Sequence, residues 1–472
     1  MAKRITRREM LRLTGLLAAG SFLAACGTPE PTAQPTAEPE PEEETPEETT
    51  PEETTEVVVP PAGDSEGHVV VMHFLHEFTE DHVNAFQDEN PGITVEVIEA
   101  DLTRFFAMYA AGTPPDLLRV QAPSIPQYLA REMLHDLTPF FEASELMPLD
   151  DLAPANDYYK AGSPLSVGQG PIYGMVKDFS PDCTIFVYKP LFEQAGIPVP
   201  SDTEPLTYQE VVDLSSQLTT FEGDRLVTLG YAFETGWVDR FMMNKLAETG
   251  ESLFSDDFTE LIIRDNDAAY AVGKYYFDMA AERLCQSVIN PSPAGWFGTD
   301  FTQGILAMAQ YGFWYGAMAE SEVTAGEVIM IPGPTWAGVR RDPTVTATGM
   351  IMAKATQVAE AAWKVFEYYN GGAPAVERAG SGWGVPAQIS MYELIPNETE
   401  YEQQKLRVLL AELELETSPL QFNPYLGEET VATAWNSNMD RALTGELSFD
   451  EALANVESEV NQAIQDGLDR LG

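Results

Sequence analysis

The chain has 75 Asp and Glu but only 5 His and 3 Cys, so its chemistry has to be built from carboxylates and aromatic rings. It contains no Gly-x-Ser-x-Gly elbow, Walker loop, His-Glu-x-x-His or Cys-x-x-Cys, the spacings that mark nucleophilic, phosphate-binding, metalloprotease and redox sites. Paired carboxylates alone can hydrolyse a glycoside, so a secreted carbohydrate-degrading enzyme is one reading. Carboxylates and amides beside aromatic rings also suit binding without catalysis. A sugar offers flat C–H faces to a ring and hydroxyls to polar groups. A cation such as a polyamine suits an aromatic and carboxylate cage. Among the tryptophans, Trp237, Trp296 and Trp383 each follow a Gly, and Trp314 and Trp336 lie in loop-like stretches. A Trp in a loop gains less from regular packing, which makes the first four candidates for lining a cleft, with Tyr315 beside Trp314. Trp363 sits in the helical run AAWKVF and is expected in the core. His68, His73, His76 and His82 lie close in sequence. On one strand, however, residues 73 and 76 would face opposite sides, so no metal site is expected.

These side chains need elements to position them. Residues 68–75 (HVVVMHFL) form an apolar run typical of a strand buried on both faces. Thr79 caps a helix ended by Asn90-Pro91-Gly92, and residues 93–98 alternate as a second strand. Strand, helix and strand on this spacing predict a βαβ unit and a parallel sheet. A helix over 103–111 and a Gly-Thr-Pro-Pro-Asp turn lead to a strand over 117–120, with a further helix over 128–134. His76 and Glu77 follow the first strand and Gln121 follows the third, at the carboxyl ends where ligands bind in open α/β sheets. Asp116 is read as a turn or capping acid.

Farther along, a strand over 184–188 runs into a helix opened by Lys189-Pro190 and closed by Gly196. Thr207-Tyr208-Gln209-Glu210 and Ser448-Phe449-Asp450-Glu451 are capping boxes, the second turning Leu453, Val456, Val460 and Ile464 inward. Helices are predicted over 239–249, 267–283, 301–308 and 357–369, and a strand over 344–353. Trp435 and Asn436 are weaker candidates for the cleft.

The first 26 residues read as an export signal. Five basic residues precede an apolar run that is too short to span a bilayer as a final helix, and a small-residue cleavage site follows. Thr6-Arg7-Arg8 resembles a twin-arginine signal, and Leu23-Ala24-Ala25-Cys26 resembles a bacterial lipobox, implying acylation of Cys26. Residues 27–67 hold 13 acids and no Lys or Arg, a Pro- and Thr-rich composition that stays disordered. Fully extended, such a tether reaches about 125 Å. The formal charge is −49; residues 1–26 contribute +4 and 27–67 contribute −13, which leaves −40 for the remainder. That balance excludes nucleic acid as a partner. Cys183 and Cys285 could form one disulfide or remain two buried thiols.

Taken in order, "FQDENPGITVEV", "AAGTPPDLLRV", "LAREMLHDLTPF", "IYGMVKDFSPDCTIFVYKPLFEQAGIPVP" with "LTYQEVVDLSSQLT", "FTQGILAMAQYGFWYGAM", "GWGVPA" and "LTGELSFDEAL" resemble the extracellular solute-binding proteins of bacterial ABC importers, in the sugar-binding group that includes maltose-binding protein. The chain departs from the group's usual Tyr-Asn-Lys before Pro190 and from the Trp often found where Tyr208 stands. The resemblance implies a two-lobed α/β periplasmic-binding-protein fold, each lobe a mainly parallel sheet flanked by helices. Lobe one would comprise 68–178 and 343–416, and lobe two 179–342 and 417–472, with two or three crossovers and a ligand-closing hinge. It also implies that Trp314 is a sugar platform, that the Trp383 loop approaches the cleft, that Asp178 is an acidic ligand contact and that Tyr173 lies at the hinge. The expected protein is a monomeric, non-catalytic receptor without cofactor, anchored outside the membrane through Cys26 and delivering a sugar to a permease. A cationic solute, and a tethered surface protein without a small ligand, are the alternatives within binding.

Overall fold

The computed structural model describes residues 66–341, 344–415 and 419–471. The export signal, Cys26 and almost all of the acidic tether therefore lie outside the described residues.

Two five-stranded sheets carry the fold. The first takes β1 (Gly67–His73), β2 (Ile93–Glu99) and β3 (Leu117–Val120) from the N-terminal part of the chain. β1 pairs in parallel with both β2 and β3, the arrangement that the βαβ spacing predicts. A hairpin of β4 (Lys160–Ser163) and β5 (Ser166–Ile172) leads to β6 (Gly174–Val176) and the short β7 (Asp178–Phe179). The second sheet contains β8 (Ile185–Tyr188), β9 (Thr220–Glu222), β10 (Arg225–Phe233), β11 (Leu306–Gln310) and β12 (Val328–Ile331). The chain then returns to the first sheet as β13 (Gly349–Met352), which pairs antiparallel with β3 and β6, and β14 (Val385–Pro386) pairs with β7. The sheet orders are β2-β1-β3-β13-β6 and β12-β8-β11-β10-β9. The sheets are mixed rather than mainly parallel as expected: β13 runs antiparallel to both of its neighbours in the first, and in the second only β10 and β11 run parallel.

Local chemistry explains most element ends. Thr79, Thr207 and Ser448 each accept from the N3 amide while the N3 side chain reaches back, forming capping boxes. The helix Lys189–Ala195 ends at Gly196 with φ 71°, a left-handed position where a Cβ is strained. Leu453, Val456, Val460 and Ile464 are completely buried on one face of the helix Phe449–Asp469. Among the described residues no helix is long and apolar enough to cross a membrane.

Three local expectations change. The helix predicted over 301–308 is instead a short helix, Phe297–Thr302, followed by strand β11. All five β11 residues are buried between β8 and β10, and a continuous apolar run of this length does not distinguish strand from helix by period. The helix predicted over 128–134 runs earlier, Ile125–Ala130, with Pro126 in its first turn. Within the range 343–416 expected in lobe one, the helix Glu400–Leu413 packs on β12 of the second sheet, where Gln404 bonds both the amide and carbonyl of Met330.

The chain crosses between the sheets from Val176 to Ile185 and returns from Ile331 to Gly349. One buried carboxylate ties these passages together. Asp182 Oδ2 accepts from Val345 N at 2.7 Å, Thr346 N at 3.4 Å and Thr344 Oγ1 at 3.3 Å. Cys183 and Cys285 are buried thiols, and Cys183 Sγ accepts from Asn244 Nδ2.

Candidate functional site

The carboxyl ends of β1 and β3 from one sheet and β10 from the other converge on a cavity of about 480 Å³. From the first sheet it is lined by Phe74, Arg119, Gln121 and Ser124, and from the second by Glu234, Trp237 and Arg240. Glu428, Glu429 and Asn436 close it. Two hydrogen bonds span it: Arg240 Nη1 donates to Gln121 Oε1 at 2.9 Å, and Ser124 Oγ donates to Glu428 Oε2 at 2.7 Å.

An aromatic wall adjoins the cavity. Trp237 and Trp314 have ring centroids 6.4 Å apart, and Trp314 and Trp383 5.7 Å. Tyr311 lies 5.0 Å from Trp314, and Trp296 is 5.9 Å from Tyr311 and 6.1 Å from Tyr315. Trp383 is 38% exposed, whereas Tyr315 is fully buried and donates from its hydroxyl to Gly298 O at 2.7 Å. Tyr315 thus supports the wall from behind. The turn that presents Trp314 requires Gly312, because a Cβ there would stand 2.3 Å from Asp182 Oδ1 and 2.5 Å from Ser180 Cβ.

Glu77 and Asp178 belong to an ion network beside the first crossover. Glu77 meets Arg119 Nε at 3.1 Å and Lys177 Nζ at 3.4 Å, and Lys177 Nζ reaches Asp178 Oδ2 at 2.5 Å. Burial pushes the Glu77 carboxyl up, but Lys177 and Arg119 outweigh it and hold the group at about 2. Burial lowers the adjacent His73 to about 3. His76 is exposed and stacks on Phe74, with centroids 5.4 Å apart, while the Arg119 guanidinium covers the same Phe74 ring at 4.2 Å.

The structure therefore brings Gln121 and Trp237 onto the cavity, and Trp296, Trp314, Tyr315 and Trp383 into the adjoining wall. Tyr173 is not with them. It precedes β6 at the opposite end of the sheet, half-buried near Asp136 and Lys354. Trp336 lines a different cavity with Tyr208, Tyr270 and Tyr275. Trp435 is buried, and Trp363 stacks between Phe140 and Phe366 in the core. Asp116 accepts from Val70 N and Thr356 Oγ1, a structural role. The cavity residues Phe74, Arg119, Ser124, Glu234, Arg240 and Glu428 were not singled out in the sequence. The missed signal was RLVTLGYAF, the β10 strand whose carboxyl end delivers Glu234; Arg240 comes from the following helix, Val238–Ala247. Among the described residues no group of three or more His, Cys, Asp or Glu is placed to hold a metal.

Two α/β lobes, crossovers between them and a polar cavity with aromatic walls at the strand ends define a two-lobed binding protein of the periplasmic-binding-protein type. The chain belongs to the bacterial extracellular solute-binding proteins, whose family model matches residues 75–371. This is a family of binding proteins, not of enzymes. The chain is similar to an ABC substrate-binding protein, Lmo0181, from Listeria monocytogenes, solved in complex with cycloalternan. That similarity has 20% identity and a TM-score of 0.68 and covers 85% of this chain and 99% of that one. It is also similar to the sugar-binding protein MalE of Xanthomonas citri, at 16% identity and a TM-score of 0.65, covering 85% and 98% of the two chains. A third similar structure is a solute-binding protein of Thermotoga lettingae bound with α-D-tagatose, at 18% identity and a TM-score of 0.64, covering 84% and 99%. No curated protein matches the chain.

Proposed function

We propose that the chain is the lipid-anchored receptor of an ABC importer. It captures a mono- or oligosaccharide between the two lobes and delivers it to the transmembrane permease. The observation that carries this reading is the aromatic row Trp237, Trp314 and Trp383 beside a rim of amide, carboxylate and guanidinium groups. Rings meet the C–H faces of a sugar and the rim meets its hydroxyls. The cycloalternan and tagatose held by the Listeria and Thermotoga proteins support the same ligand class. Cys26 supplies the anchor and residues 27–67 the tether.

Intrinsic tryptophan fluorescence across a panel of saccharides, with spermidine as the cationic control, tests the ligand class. A saturable change with a saccharide and none with spermidine is expected; the reverse moves the ligand to a cation. For the anchor, Cys26→Ser should release the protein from the membrane fraction, and unchanged membrane retention and processing would refute it.

A further inference from the structure

Arg240 is a charge without a counter-ion in contact. It is 1% exposed and lines the inter-lobe cavity. Among the described residues its one side-chain hydrogen bond goes to a neutral acceptor, Gln121 Oε1, its buried Nε has no hydrogen-bond partner, and its guanidinium lies 5.8 Å from the Trp237 ring centroid. Among the described residues no carboxylate oxygen lies within 4.0 Å of its guanidinium. A guanidinium removed from water needs an anion and full hydrogen bonding to offset the hydration it loses. Its acidic neighbours Asp182 and Asp239 act on it from a distance and make no ion-pair contact with it. Asp182 Oδ2 is committed to the second crossover, and burial pushes the carboxyls of Asp182 and Asp239 up to about 7 and about 6.

A second feature points the same way. The helices Val238–Ala247 and Thr430–Leu443 both begin at this cavity, at Trp237 and Glu429, and neither N-cap side chain bonds its first turn. Helix N-termini present amide donors and the positive end of the macrodipole. Four carboxylates also line the cavity, and three already hold protein donors. Asp101 accepts from Arg104 N, Glu234 from Gly236 N and Tyr311 Oη, and Glu428 from Ser124 Oγ, while Glu429 is exposed.

We propose that the ligand is a carbohydrate carrying an anionic group, a uronate carboxylate in the first instance, and that Arg240 selects it by exchanging Gln121 Oε1 for that anion. This rests on the carbohydrate reading and narrows it. Charge on the distant surface is screened beyond a Debye length of about 8 Å at physiological salt, so the opposing charge is that of the four lining carboxylates, and the anion has to seat on the Arg240 side of the cavity away from them.

Calorimetric titration of the purified chain at pH 7 tests the assignment with uronate-bearing mono- and disaccharides, each against its neutral parent, and with hexose phosphates and spermidine. A uronate should bind at least about tenfold tighter than its neutral parent, the scale of a charge-assisted pair. Arg240→Gln should reduce that preference to about threefold or less, and Arg240→Lys should retain part of it. Should Arg240→Gln fail to fold by circular dichroism, the preference of the unmodified protein still decides. Neutral sugars binding as tightly as uronates overturns this proposal alone. Spermidine binding without any saccharide overturns the carbohydrate reading with it. A hexose phosphate outcompeting every uronate keeps the anion on Arg240 and makes it a phosphate.

Discussion

Trp314, on the turn after β11 of the second sheet, meets Trp383, on the loop before β14, the strand that pairs with β7, with centroids 5.7 Å apart and planes at 44°. The two rings join the lobes at the face a sugar would occupy, so a ligand stacking on Trp314 exchanges one aromatic contact for another. Trp314→Ala is expected to cost about 2 kcal/mol of binding, roughly thirtyfold, as for a central aromatic anchor. Trp383→Ala should cost about 1 kcal/mol. Trp363→Ala provides the contrast: it should lower stability by about 3 kcal/mol or more and leave the affinity of the folded fraction unchanged. Calorimetry paired with thermal melts separates the two effects.

The Glu77 network should govern acid stability. Glu77 titrates at about 2 in the folded chain against an ordinary 4.5, so its contribution is complete above 4.5 and is lost as pH falls through about 2. His73 is buried neutral at about 3 against 6.5, so stability is also lost as pH falls between 6.5 and 3, where only the unfolded chain takes the proton. Glu77→Gln leaves Lys177, whose side chain is 2% exposed, with a weakened environment and should cost about 3 kcal/mol at pH 7. The cost should shrink toward pH 2. Urea midpoints against pH would show this, and a pH-independent cost would count against it.

Lys245 should act in the opposite range. Its Nζ lies 3.6 Å from the Tyr208 ring centroid and donates to Tyr276 Oη at 2.6 Å, and burial lowers its pKa from 10.5 to about 7. Between those values the unfolded chain holds a proton that the folded chain has released, so this residue makes stability rise with pH. Lys245→Met is expected to stabilise the fold by about 4 kcal/mol more at pH 6 than at pH 10. Equal effects at both pH values in chemical denaturation would refute it.

Gly312→Ala should damage both binding and folding. The added methyl meets Asp182 Oδ1 and Ser180 Cβ at the crossover, so the Trp314 turn has to shift. A loss of about 1–3 kcal/mol in stability is expected, together with weaker ligand affinity. An unchanged melt and an unchanged affinity would show that the turn adapts freely.

The first sheet was legible because β1, β2 and the capped helix between them obey simple periods, and the capping boxes at Thr207 and Ser448 fixed two helix starts. β11 was read as helix because a strand buried on both faces has no alternation to reveal it. β10 went unassigned, and with it Glu234, while Arg240 lay in a predicted helix with nothing in its spacing to show that it faces a cavity. Tyr173 shows a different limit. Motif order placed it near a crossover, but the register of β6 against β13 sets it at the far end of the sheet.

A crystal structure of the chain with its tightest-binding saccharide tests the central claim most directly. A sugar ring within about 4 Å of Trp314, the ordinary contact range, with polar atoms bonded to Gln121 and Arg240 is the predicted result. A saccharide seated elsewhere, such as the cavity beside Trp336, with Trp314 still against Trp383 and Arg240 still on Gln121, would contradict it.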